Sequence, residues 1–459
     1  MKLFHPEAPP STNALSAADL EAWFRSQCKV EGAGDCPQRL LIAVSGGADS
    51  LALLLLASGL PKSRFDVSAA TVDHGLRPEA PDEAAYVKEI CALLGVPHET
   101  LVWQGWNGTG NLQASARAAR YRLLADEAYR LGARIVLTAH HRTDQIETVL
   151  HALDRGDRPH RRAGMRPIRD YEPGLKLARP LLDERPERLR KTLFDAGIAA
   201  VDDPSNSDPR FARVRHRQNI AAMTAPEIET ILAVQREAAH HRNGSERKQA
   251  DLMTAMLKEG QLDFDAETGS VALAYAGFRA LSDDLAADLI ARILRAVGGS
   301  ARPAGRAAIT RLLEPLKNGH DARTATLGGV DIRSGAGAIL FQREYGRAGP
   351  PNIAVPWCLP RLVFDERFDI ELSAEDRRLA EARNAALAPY GATGRGNARH
   401  RTMPALIATD GTVLVATAEL AKRERYRGIN AQPFGRLRCR VRWRCLADLP
   451  IKPAENGTR

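Results

Sequence analysis

The feature that most constrains this chain is a five-residue apolar run, Leu40 to Val44, that stops at Ser45-Gly46-Gly47-Ala48-Asp49-Ser50 and resumes as a helical pattern from Ser50. A run this short, closed by glycines, reads as a strand buried on both faces. Strands of that kind belong to parallel sheets covered by helices. Two further runs, Val67–Val72 and Ile135–Ala139, have the same character. Between them lie helical stretches such as Leu112–Leu131, where Leu112, Ala116, Ala119 and Leu123 share one face. Short buried strands alternating with amphipathic helices predict an α/β domain with a doubly wound parallel sheet over residues 37–225.

The flanking regions have a different texture. Residues 1–36 read as an N-terminal extension without chemistry, loop-rich at first and then a short helix. Residues 226–345 read as a helical middle domain. Its best-marked helix has Ser282 as N-cap, Asp283 and Asp284 in the first turn, and a stripe of Leu285, Leu289, Ile293 and Val297 ending at Gly298-Gly299. Gly349-Pro350-Pro351 is a natural linker, because neither residue type continues a helix. Residues 350–459 read as a small mixed α+β domain in which Ala405–Ala408 and Val413–Ala416 flank Asp410-Gly411, a type I′ hairpin signal.

Charge narrows the partners. Sixty-five lysines and arginines against 56 acidic residues give a net charge of +9. That excess favours phosphate-bearing partners, or is simply dispersed for solubility. No membrane partner is expected: the longest apolar run, Leu51–Ala57, is too short to span a bilayer. The N-terminal residues lack the apolar core of a signal peptide, and the six cysteines contain no C-x-x-C pair. Both point to a cytoplasmic protein with reduced thiols.

The loop itself suggests phosphate binding. Gly46 and Gly47 allow backbone N–H groups to approach an anion, and the helix that follows adds its unpaired N–H groups and positive dipole end. Ser45 and Ser50 supply hydroxyls, and Asp49 is a candidate magnesium ligand. The pattern is neither a Walker loop nor a dinucleotide fingerprint. The bland alternative is a tight strand-to-helix turn capped by serine and aspartate. S-G-G-x-D-S is the pyrophosphate-binding motif of the PP-loop ATP pyrophosphatases, and on Ser45–Ser50 the chain resembles that family. The resemblance implies that ATP is split to AMP and pyrophosphate, with AMP transferred to a substrate oxygen.

Three further segments resemble the lysidine synthetases within that family. Asp73-His74-Gly75-Leu76-Arg77 matches D-H-G-L-R, and Arg117, Arg120 and Tyr121 match A-R-x-x-R-Y. His140, His141, Asp144 and Glu147 match A-H-H-x-D-D-x-x-E-T, with Thr143 replacing the first aspartate of the pair. Arg179-Pro180-Leu181-Leu182 and Asp203-Pro204-Ser205-Asn206 also match family segments. Arg213, Arg215 and Arg217 keep the arginines of R-N-R-I-R, although Val214 and His216 depart from it. For Asp144 and Glu147 an ordinary role in the first helical turn remains open. The paired histidines find no third metal ligand at a useful spacing.

The resemblance implies ligation of free L-lysine to the wobble cytidine of the CAU anticodon of an isoleucine tRNA. ATP and magnesium serve as cofactors, and an adenylated cytidine is the intermediate. Asp73 and His74 then belong near the nucleotide, Asp144 and Glu147 by the lysine, and Arg213 on phosphate charge. Arg77, Arg117, Arg120, His140, His141, Arg215 and Arg217 belong on the substrate side. Arginines alternate with apolar residues from Arg436 to Arg444, so a strand there presents Arg438, Arg440 and Arg442 on one face. Such a face suits a tRNA backbone, or protects an edge strand from aggregation. Two other readings stay open, a non-catalytic tRNA-binding relative and a synthetase acting on a small metabolite. Oligomeric state is open as well, a homodimer included.

Overall fold

The computed structural model describes residues 1–7, 11–27, 37–75, 77–103, 111–154, 159–172, 175–202, 212–299, 304–318, 324–335, 337–347, 349–355, 361–365, 367–417, 419–420, 435–436 and 438–441. The chain divides into two compact units, Met1–Asn243 and Gly244–Arg459. The boundary falls inside a continuous helix, Ala225–Lys258.

The first unit is built on a six-stranded sheet. Its strand order is His98–Val102, Phe65–Asp73, Gln38–Ala43, Ile135–Leu137, Leu175–Ala178 and Ile168–Glu172. The first five strands run parallel and the last is antiparallel to its neighbour. Helices cover both faces, which the central strand shows directly. Leu40 and Ile42 pack into one core with Leu51, Leu53 and Leu137, while Leu41 packs into another with Leu124, Ala128 and Val136. All three strand residues are at most 1% exposed, and burying each contributes about 2 kcal/mol. The doubly wound sheet expected from the apolar runs is therefore present. The helix Leu112–Leu131 starts where Asn111 accepts the Ala114 N–H at 3.1 Å and stops at Gly132, whose φ of +68° no β-carbon residue adopts easily.

In the second unit, the middle region holds the expected helix Asp283–Val297, with Ser282 accepting the Leu285 N–H. Leu289, Ile293 and Val297 are buried, whereas Leu285 is exposed. Beside its helices the region also carries a five-stranded antiparallel sheet that the sequence reading did not anticipate. The order is Thr324–Leu327, Val330–Gly335, Ala338–Arg343, Val271–Ala274 and Leu262–Phe264. These strands are three to six residues long, too short for alternation to stand out against the helical background.

The C-terminal region is mixed α+β. The expected hairpin forms, with Ala405 opposite Ala416 and Leu406 opposite Val415. Its turn is not type I′, however, because Gly411 has φ +81° while Asp410 is not at positive φ. The register shifts between Leu406 and Ile407, and the Ala408 N–H reaches Thr412 O. The loop is thus longer than the two residues a type I′ turn requires.

Candidate active site

In the sheet order, the chain moves outward from Gln38–Ala43 to one edge and then returns to its other side at Ile135–Leu137. Loops leaving the C-terminal ends of two such strands diverge and open a crevice. Ser45–Ser50 follows the first strand and His140–His141 follows the second.

The loop is held in part by its own groups. The Ser45 N–H donates to Ser50 Oγ at 3.1 Å, and Ser50 Oγ donates to Gly47 O at 2.9 Å. The buried Ser50 hydroxyl is therefore spent on the shape of the loop, and Ser45 is the exposed hydroxyl. Gly46 sits at φ +83°, and a β-carbon there would stand 3.0 Å from Val201 Cγ2. Gly47 caps the helix Ala48–Ser58 without a side-chain hydrogen bond, which leaves first-turn N–H groups for an anion.

Across the crevice stands the helix Arg142–Asp154. Asp144 Oδ2 accepts the His141 N–H at 2.9 Å, so it caps this helix as well as carrying charge. His141 is 6% exposed. In the neutral ring its Nδ1 accepts the Thr143 N–H at 3.2 Å, and in either protonation state Nε2 lies 3.4 Å from Asp49 Oδ2 and 3.7 Å from Asp144 Oδ2. Burial alone would lower the His141 pKa, but the hydrogen bond to Asp49 and the charges of Asp144 and Asp49 outweigh it, and the net shift is upward. Burial likewise opposes ionisation of Asp144. The His141 charge and backbone N–H, with His140 and Arg217, reverse that effect and hold the carboxyl below its usual range.

The fifth member of the cluster comes from the helix Ala212–Ala222. Ile220 buries against Ile146 and Leu232, and one turn earlier Arg217 reaches the acidic pair. Its Nε donates to Glu147 Oε1 at 2.5 Å and a terminal nitrogen donates to Asp144 Oδ1 at 3.3 Å. Asp49, His141, Asp144, Glu147 and Arg217 thus form one continuous charged network.

Comparison with known proteins now bears on this geometry. The family model described as a PP-loop domain matches residues 21–224. A tRNA(Ile)-lysidine synthase of Ruegeria pomeroyi is 40% identical over 333 residues, covering 72% of this chain and 76% of the relative. The chain belongs to the tRNA(Ile)-lysidine synthase family. A second member, from Methylobacterium nodulans, is 38% identical over 341 residues and is covered to 98% of its length. A third, from Rhodopseudomonas palustris, is 50% identical over a shorter stretch of 190 residues.

The other residues expected from resemblance to lysidine synthases form separate groups. Asp73 Oδ1 accepts the Gly75 N–H at 2.8 Å. His74 Nε2 accepts from Arg120 Nε at 3.3 Å, and its ring meets Trp103 edge to face. Burial, then the Arg120 charge, lowers the His74 pKa, in keeping with a neutral ring that accepts at Nε2. Arg77 pairs with Glu83 at 2.6 Å, and Arg117 lies 5.1 Å over the Tyr121 ring. His140 Nδ1 bonds Thr138 Oγ1 at 2.9 Å. Arg215 is exposed; the Arg213 backbone is helical, but its side chain lies outside the described residues. The segment Asp203–Asn206 and Arg442 lie outside them too.

Arg438 and Arg440 sit on the strand Arg438–Val441, in register with Glu371 and Asp369 of its neighbour. Among the described residues, no three His, Cys, Asp or Glu side chains converge as a metal site. Sequence reasoning missed Val201 and Trp103. The first belongs to a two-residue strand with no periodicity to detect, and the second showed only in its position after a strand.

Proposed function

We propose that the protein ligates lysine to the 2-carbonyl position of the wobble cytidine in the CAU anticodon of isoleucine tRNA, with ATP as energy source. The cytidine oxygen is a poor leaving group until it carries AMP; pyrophosphate leaves in that first step. The lysine ε-amine then attacks the ring carbon, AMP leaves with the oxygen, and the amine loses a proton. The observation that supports this reading best is the meeting of an intact phosphate loop with an acidic pair, through the His141–Asp49 contact.

In this reading the N–H groups at Gly46, Gly47 and the start of the helix hold the pyrophosphate portion of ATP. Asp49, oriented by His141, would hold a magnesium ion, which would offset phosphate charge. Asp144 and Glu147 receive the lysine ammonium, and a carboxylate in that place is also able to take up the proton released on attack. Asp73 and His74 line the nucleotide side, and Arg213 and Arg215 meet phosphate charge. An anticodon loop suits the crevice because its base can be splayed out without melting a duplex. A non-catalytic relative is not favoured, since every residue of the phosphate-loop motif is present and Ser45, Gly47 and Ser50 are bonded to one another.

The test is transfer of labelled lysine to unmodified isoleucine tRNA with ATP and magnesium, run beside methionine tRNA carrying the same anticodon. Label on the isoleucine tRNA alone, lost on Asp49→Ala, supports the proposal. Absence of label from the unsubstituted protein, with tRNA binding intact, would overturn it.

A further inference from the structure

The N-terminal residues looked inert in the sequence, yet the structure ties them to the phosphate loop by a short chain of contacts. Leu3 and Phe4 pair antiparallel with Val201 and Ala200. The Asp202 N–H donates to Lys2 O at 2.9 Å, and Lys2 Nζ lies 3.2 Å from Asp202 Oδ2. On the inner side of the same strand, the Val201 N–H donates to Gly46 O at 3.0 Å, and Val201 Cγ2 fills the space beside Gly46 Cα. Val87 closes that space from the helix Ala80–Leu93, and Tyr86 of the same helix donates to Ala199 O at 2.8 Å.

We infer that Val201 is a positioning residue for ATP, and that the strand Leu3–Phe4 acts through it to hold Gly46 at the positive φ the phosphate loop requires. Gly46 has no β-carbon to restrain its own backbone, so its conformation must be fixed from outside. The single hydrogen bond and the methyl contact from Val201 supply that restraint. Ala200–Val201 is only two residues long, and an isolated pair of that length is not stable alone. Its other edge is covered by Leu3–Phe4. Loosening either member lets the loop N–H groups spread over orientations that no longer converge on one anion.

This inference rests on reading Ser45–Ser50 as the ATP site, but not on which substrate accepts AMP. Its test is the dissociation constant for ATP, with magnesium and without tRNA, measured by calorimetry on the full-length protein. Val201→Ala and a variant lacking residues 2–5 are compared with the parent, and each is also melted. Both variants are expected to bind ATP about tenfold more weakly, with KM for lysine unchanged in Val201→Ala. Should Val201→Ala lower the melting temperature while the folded protein binds ATP as before, Val201 is merely structural and the inference fails. If the deletion variant does not fold, Val201→Ala alone decides. Loss of lysine transfer in the parent protein with ATP binding intact would count against the proposed function and leave this inference standing.

Discussion

Arg217 closes over Glu147, its Nε donating to Glu147 Oε1 at 2.5 Å, with a second bond to Asp144 Oδ1 at 3.3 Å. Glu147 is buried, so the guanidinium is what makes its charge tolerable there. Arg217 lies where a lysine ammonium would have to enter if the acidic pair receives it. Replacing Arg217 with alanine strands the carboxylate, and the expected loss of stability is about 2 kcal/mol. Arg217→Lys should recover part of it, since an ammonium keeps the charge but not the forked geometry. Urea unfolding of the three proteins checks this. Equal midpoints for parent and alanine variant would show that the pair contributes nothing.

Thr143 stands in the first turn of the same helix, where the motif this segment resembles has an aspartate. Its backbone N–H is already engaged with His141 Nδ1, so the position is fixed while its side chain brings no charge. Thr143→Asp adds a negative group beside Asp144 at a helix N-terminus, which costs little stability, within about 0.5 kcal/mol. KM for lysine is expected to fall about threefold to tenfold with little change in KM for ATP. An unchanged lysine KM would argue that the ammonium binds elsewhere.

The phosphate loop and its sheet were legible because both are local. A buried strand, two glycines and a helix follow one another within twenty residues, and periodicity reports each of them. The placing of Asp144 and Glu147 on one helix face was legible for the same reason, because they stand three apart. Their partners were not. Arg217 lies 70 residues from Glu147 along the chain, and the distance is closed by the packing of the two helices, Ile220 on Ile146 and the His216 ring against His151. His141 meets Asp49 because the strand order reverses between two strands, and that order is a property of the assembled sheet. The middle sheet was hidden by strand brevity. At Asp410-Gly411 the dipeptide announced a turn but not the loop length that selects its type.

The His141–Asp49 contact predicts a pH dependence with a definite sign. The folded pKa of His141 is raised above its ordinary value of 6.5, so protonated His141 stabilises the native state. That contribution is complete below the unfolded pKa and is lost as pH rises through the folded value. The stability difference between the parent and His141→Gln should therefore shrink as pH rises above 6.5. Asp49→Asn removes the hydrogen bond that raises the value, and the His141 imidazole resonances should then titrate at lower pH. Denaturation at several pH values and a proton NMR titration read both effects. A stability difference that grew with pH would contradict the ion pair.

The two loop glycines separate folding from binding. Gly46 lies at φ +83° with Val201 Cγ2 only 3.0 Å from where a β-carbon would go, so Gly46→Ala is strained both in its backbone and against its neighbour. A loss of about 1–3 kcal/mol is expected. Gly47 lies at φ −71° and its virtual β-carbon meets nothing closer than Ser45 Oγ at 3.6 Å. Gly47→Ala should therefore leave the melting temperature nearly unchanged. Its methyl group nonetheless projects at the cap of the helix where the proposed function puts the anion and needs close approach of the backbone. ATP binding by Gly47→Ala should weaken by about tenfold or more while its fold persists. Melting curves and ATP titrations on the two variants give the contrast. If Gly47→Ala bound ATP normally, the anion would have to be held away from the start of this helix, at a distance a methyl group does not disturb.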